Sequence, residues 1–231
     1  MSTTIDIIPT ETTNVTFGQV IETSEKNINN FLDSIGVKQT IQLRINLHEI
    51  DEKYVREIQM TDKFEWGENE YVWFVINGIA GGTDAYCRRL KDTDIDEEDP
   101  WWILGDLELN NTTIENIKEK LEKSKAFDRL WYFRRSMGQS GIIALSYGLI
   151  SAAVAELTKG ILTSGDAWDH QRFPAESKDF LSWYFRPDKA LNADNGDWAK
   201  RSIEGIEEDL AERITYLRKA ELTWWQRLFR N

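Results

Sequence analysis

Tyr71-Val-Trp-Phe-Val-Ile76 is a continuous run of β-forming residues, and its reading decides the fold. Asn77-Gly78 and Gly81-Gly82 follow, dipeptides that turn a chain back on itself, so residues 83–90 are predicted to return as the next strand. Upstream, Ile41, Leu43, Ile45 and Leu47 alternate with Gln42, Arg44 and Asn46, the period of two of a half-buried strand. Before that, Val20, Ile21, Ile28, Phe31, Leu32 and Ile35 recur near a period of 3.6. Thr16 is placed to cap this helix and Gly36 to end it. Residues 1–13 are polar and Thr-rich, a flexible tail. Downstream, the acidic stretch 91–100 is a loop and 101–109 is strand-like. The first half is therefore predicted as one helix and about four mostly antiparallel strands.

The second half reads as helical. Thr112-Thr-Ile-Glu115 has the pattern of a capping box opening a helix to about Lys123. Residues 127–137 and 142–157 give two more helices, and 160–164 a short strand. Residues 174–185 form a helix with Pro174 in its first turn, and 188–197 a polar linker. Asp197 then caps a long last helix with the stripe Ile203, Ile206, Leu210, Ile214, Leu217, Trp224 and Leu228. The fold class is α+β: an acidic mixed part over 14–110 and a helical part over 111–231, sharing one core.

The 231 residues are 41% hydrophobic and 12% aromatic, too rich in buriable surface for disorder. Cys87 is the only cysteine, which excludes an internal disulfide and fits a reducing compartment. The start lacks a basic segment and a long apolar run, so a cytoplasmic location is expected. Residues 136–155 carry no charge but include several serines and glycines, the make-up of a buried helix rather than a membrane span. The formal charge is −12. Residues 1–100 hold 20 acids and 9 bases; residues 101–231 hold 20 and 19. A field so placed repels nucleic acid and anionic membranes and attracts cationic partners.

The densest acids are Asp92, Asp94, Asp96, Glu97, Glu98 and Asp99. Their Asp-x-Asp-x-Asp opening is that of a calcium loop, but Glu97 stands where the loop needs Gly and Ile103 where it needs Glu. An opposing Lys/Arg patch would relieve their mutual repulsion, and Trp101-Trp102 supply an apolar anchor. These eight residues are the expected contact surface for a basic protein. A second cluster, Asp166, Asp169 and His170, has the residue types of an acid–base or metal-dependent hydrolase; its plain alternative is a capped turn. Cys87 beside Arg88 and Arg89 is either an activated thiol or a small buried hydrophobe. No P-loop or nucleophile elbow is complete, and neither cofactor nor metal is expected.

The stretch Gly160-Ile-Leu-Thr-Ser-Gly-Asp-Ala-Trp-Asp-His-Gln-Arg-Phe-Pro174, continuing to Trp183-Tyr-Phe185, resembles the immunity proteins that accompany bacterial polymorphic toxins. The resemblance covers about 26 residues and carries over no functional residue. It implies a small, acidic, cytosolic, non-enzymatic protein that binds a cognate toxin one to one.

Overall fold

Residues with a period of two build a single antiparallel sheet, and apolar helices cover one of its faces. The computed structural model describes residues 2–50, 55–92, 101–111 and 113–228. In chain order the elements are β1 (Ser2–Ile8), α1 (Phe17–Ser34), β2 (Leu43–Glu49), β3 (Val55–Arg56), β4 (Glu70–Ile76), β5 (Thr83–Arg88), α2 (Trp102–Asn110), α3 (Ile117–Phe127), β6 (Leu130–Ser136), α4 (Gly141–Thr158), β7 (Ile161–Thr163), β8 (Ala175–Glu176), α5 (Ser177–Trp183) and α6 (Ala193–Leu228). The strand order is β3-β2-β4-β5-β6-β1-β7-β8. The fold class is mixed α+β, with more strands than the sequence predicts.

Alternation sorts the side chains of every long strand. Leu47, Val72, Phe74, Ala85, Cys87, Trp131, Phe133, Ile5 and Ile7 point to one face and join a core that runs from residue 5 to residue 210. α4 lies across that face and contacts α1, α5 and α6 as well as the sheet. It is long and apolar enough to cross a membrane by length and composition, with mean hydropathy 1.6, and 83% of that window is buried inside the protein. α1 starts as its sequence predicts. The Thr16 hydroxyl accepts from Gln19 N at 3.2 Å, and the Gln19 side chain accepts from Thr16 N at 2.8 Å. In α6, Ile206 and Leu210 of the expected stripe are buried; the side chains from Ile214 onward lie outside those described.

Ile8, Leu130 and Ile161 point to the opposite face. There they meet Leu104 and Leu107 of α2 and Leu121 of α3 in a second, smaller apolar cluster. Among the described residues this cluster covers the β6-β1-β7 end.

Three expectations are corrected. Residues 1–13 are no loose tail: β1 sits inside the sheet, hydrogen-bonded to β6 and β7. Its Ile5 and Ile7 are fully buried, a benefit that exists only once distant strands flank it. Residues 127–137 are strand rather than helix, because Trp131 and Phe133 alternate with Tyr132 and Arg134. Residues 101–109 are helix rather than strand, because Leu104 and Leu107, three apart, are what the second cluster buries. Further, α3 begins after Asn116 with no side-chain cap; Thr112 of the expected capping box is outside the described residues. α5 begins at Ser177, and α6 at Ala193 rather than after an Asp197 cap.

Candidate functional site

On the face that α4 does not cover, four rings from four adjacent strands stack in a row. His48 of β2 lies 5.1 Å from Tyr71 of β4, Tyr71 lies 5.7 Å from Tyr86 of β5, and Tyr86 lies 4.5 Å from Tyr132 of β6. All four are half-buried. The register explains the row: His48 is paired with Tyr71 and Tyr86 with Tyr132, and alternation sends each to the same side.

Cations clamp the ladder. The Arg88 guanidinium sits 4.6 Å above the Tyr132 ring and donates to its hydroxyl at 3.0 Å. Arg134 lies 5.5 Å from the Tyr86 ring and donates from Nε to Asp84 at 2.9 Å. Burial raises the pKa of Asp84 even though Arg134 opposes the shift. Burial also raises both tyrosines, so the rings stay neutral at physiological pH. Trp73 stands in the neighbouring row, paired with Asp84. It is half-buried rather than a core residue like Trp131 and Trp183. A Cβ on Gly82 would come within 2.8 Å of its indole, so the glycine is what lets the ring lie there.

Asp6 continues the ladder past Tyr132, its register partner. Burial, reinforced by the Asp166 charge and opposed by Arg88, raises its pKa to about 7. Asp6, Trp102, Asp106 and His170 are among the residues lining a cavity of about 490 Å³.

Of the expected contact surface, Asp94, Asp96, Glu97, Glu98 and Asp99 lie outside the described residues, and Asp92 ends a short 3-10 turn after β5. Trp101 and Trp102 are half-buried at the start of α2, and the buried Trp102 indole N–H has no hydrogen-bond partner among the described residues. β2 and β5 run parallel, both flanking β4, and both leave the sheet at the end where Glu49 pairs with Glu70. The stretches 51–54 and 92–99 are attached there, and together they hold eight acids and one base.

Asp166, Asp169 and His170 all border one recess of about 320 Å³. Among the described residues no hydrogen bond links any two of the three. Asp169 is buried, accepting from Leu191 N at 3.1 Å and from the Asn195 amide, with Arg172 Nε 3.5 Å away. Asp166 accepts from Thr4 N at 2.8 Å and so ties the turn to β1. His170 is exposed on a 3-10 turn. No group of three or more His, Cys, Asp or Glu among the described residues is arranged to hold a metal ion.

Sequence reasoning missed Tyr86, Tyr132, Arg134, Asp84 and Asp6. Their signal was present as aromatic and charged residues at the outward positions of alternating strands, but it is readable only once residues 2–8 and 130–136 are known to be strands. No protein-family model, curated protein or solved structure matches the chain.

Proposed function

We propose that this chain is a non-enzymatic, cytoplasmic binding protein that sequesters a basic protein partner, in the manner of an immunity protein neutralising a cognate toxin. The aromatic ladder carries the proposal. Tyr, Trp and Arg dominate the energetics of protein interfaces, and here Tyr71, Trp73, Tyr86, Tyr132, Arg88 and Arg134 share one half-exposed sheet face. Aromatic rings already held in a stack lose little rotamer freedom on binding.

Charge selects the partner. Of the excess of 11 acids in residues 1–100, seven belong to the stretches 51–54 and 92–99, which are attached at one end of that face. Other carboxylates of this half are spent internally. Asp84 pairs with Arg134, Glu65 with Lys63 and Arg129, and Glu25 and Glu70 accept from backbone N–H groups. The proposed recognition surface is therefore the ladder together with Asp92, Asp94, Asp96, Glu97, Glu98, Asp99, Trp101 and Trp102.

The test is a titration of the purified partner, obtained by crosslinking from the native host, against the intact chain. Affinity should fall steeply with salt, drop further in Asp94→Lys/Asp96→Lys/Glu98→Lys, and weaken by about 2 kcal/mol or more in Tyr86→Thr/Tyr132→Thr. A partner indifferent to both changes overturns the surface.

A second reading, an acid–base hydrolase, has one observation in its favour. Asp6, with its pKa near 7, borders the same cavity as His170, whereas Asp169 is committed to the fold. Turnover of generic ester, phosphate or glycoside substrates that disappears in Asp6→Asn would support it; inertness of the wild-type protein to all three would end it.

A further inference from the structure

The row of side chains that forms the aromatic ladder does not stop at Tyr132. Asp6 of β1 pairs with Tyr132 on one side and with Thr163 of β7 on the other, so both continue the row along the same face of the sheet. Asp6 and Thr163 there border the cavity of about 490 Å³ between β1, β7 and α2. Trp102, Leu107 and Phe173 give it apolar walls, while Asp106 and His170 are exposed at its mouth. Among the described residues no lysine or arginine lines it.

The Asp6 carboxylate is unmatched in this cavity. Among the described residues it accepts no hydrogen bond and makes no ion pair, yet it is shielded enough from water that burial is the chief cause of its raised pKa. The Arg88 charge reaches it, but that guanidinium is engaged with the Tyr132 ring and hydroxyl. Asp166 adds negative charge rather than relief. A shielded acceptor without a donor carries a desolvation cost that a cationic donor entering the cavity would recover.

We propose that this cavity is a socket for one arginine side chain of the basic partner, its guanidinium donating to Asp6 and lying against the Trp102 ring. The inference deepens the partner-binding reading and rests on it. A guanidinium is planar, stacks on aromatic faces, offers a carboxylate two parallel N–H donors and is more weakly hydrated than an ammonium, so arginine fits better than lysine. Walls of Leu107 and Phe173 suit the methylenes of its stem. Asp106 at the mouth attracts a cation, and an anionic side chain would find no lysine or arginine among the described lining residues to pair with. The socket also joins the two parts of the proposed surface, since Asp6 continues the ladder and Trp102 belongs to the segment that follows the acidic stretch.

The test is a titration of the ¹⁵N-labelled full chain at pH 8 with N-acetyl-arginine N-methylamide, following the Trp102 Nε1–H signal, assigned through Trp102→Phe. The citrulline analogue keeps the shape and loses the charge; the lysine analogue keeps the charge and loses the fork. The arginine probe should give saturable shifts, with the citrulline probe about tenfold weaker or more and the lysine probe about threefold weaker. Asp6→Asn should weaken the arginine probe about tenfold. Lowering the pH to 5.5 protonates Asp6 and should weaken the wild type by a similar factor, and Asp6→Asn much less. Asp106, His170, Asp166, Arg88 and Tyr132, the other titratable or charged groups around Asp6, are common to both proteins, so the difference isolates the Asp6 carboxylate. No saturation with the arginine probe, equal binding of the citrulline probe, or an unchanged Kd in Asp6→Asn would overturn the socket. The probe needs no partner protein, so these failures leave the ladder and the acidic stretches standing as a surface. A partner that loses affinity in Tyr86→Thr/Tyr132→Thr but not in Asp6→Asn would overturn the socket alone.

Discussion

Tyr86 and Tyr132 stack 4.5 Å apart with only 6° between their ring planes, on strands whose register sets them directly opposite each other. Rings this close on the outer face of a sheet stabilise the β5–β6 pairing as well as presenting a surface. A double-mutant cycle between Tyr86→Thr and Tyr132→Thr should therefore yield a coupling of about 0.5–1.5 kcal/mol in urea unfolding. Additive losses would mean that the two rings stand side by side without acting on each other.

α4 is packed without slack at Gly148. A Cβ there would fall 2.2 Å from Tyr184 Cζ, whose hydroxyl donates to the Ala144 carbonyl one turn earlier at 2.7 Å. Neither the buried helix nor the ring can move aside cheaply, because Tyr184 is 2% exposed and stacks on Phe180 at 4.5 Å. Gly148→Ala should cost about 3 kcal/mol or more, against the gain of a few tenths to about 1 kcal/mol that the same change brings to an unobstructed helix. Chemical denaturation reads the difference, and a neutral or stabilising result would show that Tyr184 can relocate.

Local patterns carried much of the fold and long-range ones did not. The period of two in β2, the β-forming run of β4, the Thr16 cap and the charge-free α4 are each legible within a dozen residues. The strand character of 2–8 is not, because Ile5 and Ile7 gain their burial from Phe133 and Leu162, far away in the chain. Trp131-Tyr-Phe-Arg134 can be read as one face of a helix or two faces of a strand, and only its neighbours decide. The same ambiguity hid the site: a ladder assembled from His48, Tyr71, Tyr86 and Tyr132 has no sequence spacing of its own. Asp169 illustrates the converse. Its residue type suggested chemistry, while its buried carboxylate serves Leu191 N and Asn195.

Cys87 lies on the core side of β5 at 2% exposure. Burial raises its thiol pKa although Arg129 donates to the sulfur at 2.8 Å and opposes the shift. The thiol form is thus favoured and the nucleophilic thiolate suppressed. Native protein at pH 8 should resist iodoacetamide and label only on unfolding, so protection should track denaturant concentration. Rapid stoichiometric labelling without denaturant would contradict the buried position.

Asp6 gives the protein a pH dependence of unusual sign for a carboxylate. Most surface carboxylates have pKa values lowered by folding and stabilise as pH rises. Asp6 is raised from 3.8 to about 7, chiefly by burial and secondarily by Asp166. Below pH 3.8 the group is protonated folded and unfolded, and it contributes nothing. Between that value and about 7 the unfolded chain releases the proton while the folded chain keeps it, so stability falls as pH rises. Above about 7 both states are ionised and the loss is complete, amounting to up to about 4 kcal/mol. Asp6→Asn cannot ionise and escapes this loss. Its stability relative to wild type should grow between pH 4 and pH 7 and then stay level, as read from urea midpoints at fixed ionic strength. Asp166→Asn should narrow the window by letting Asp6 ionise earlier. A difference between Asp6→Asn and wild type that is flat from pH 4 to pH 8 would place the Asp6 carboxylate in water rather than against Tyr132 and the α2 cavity.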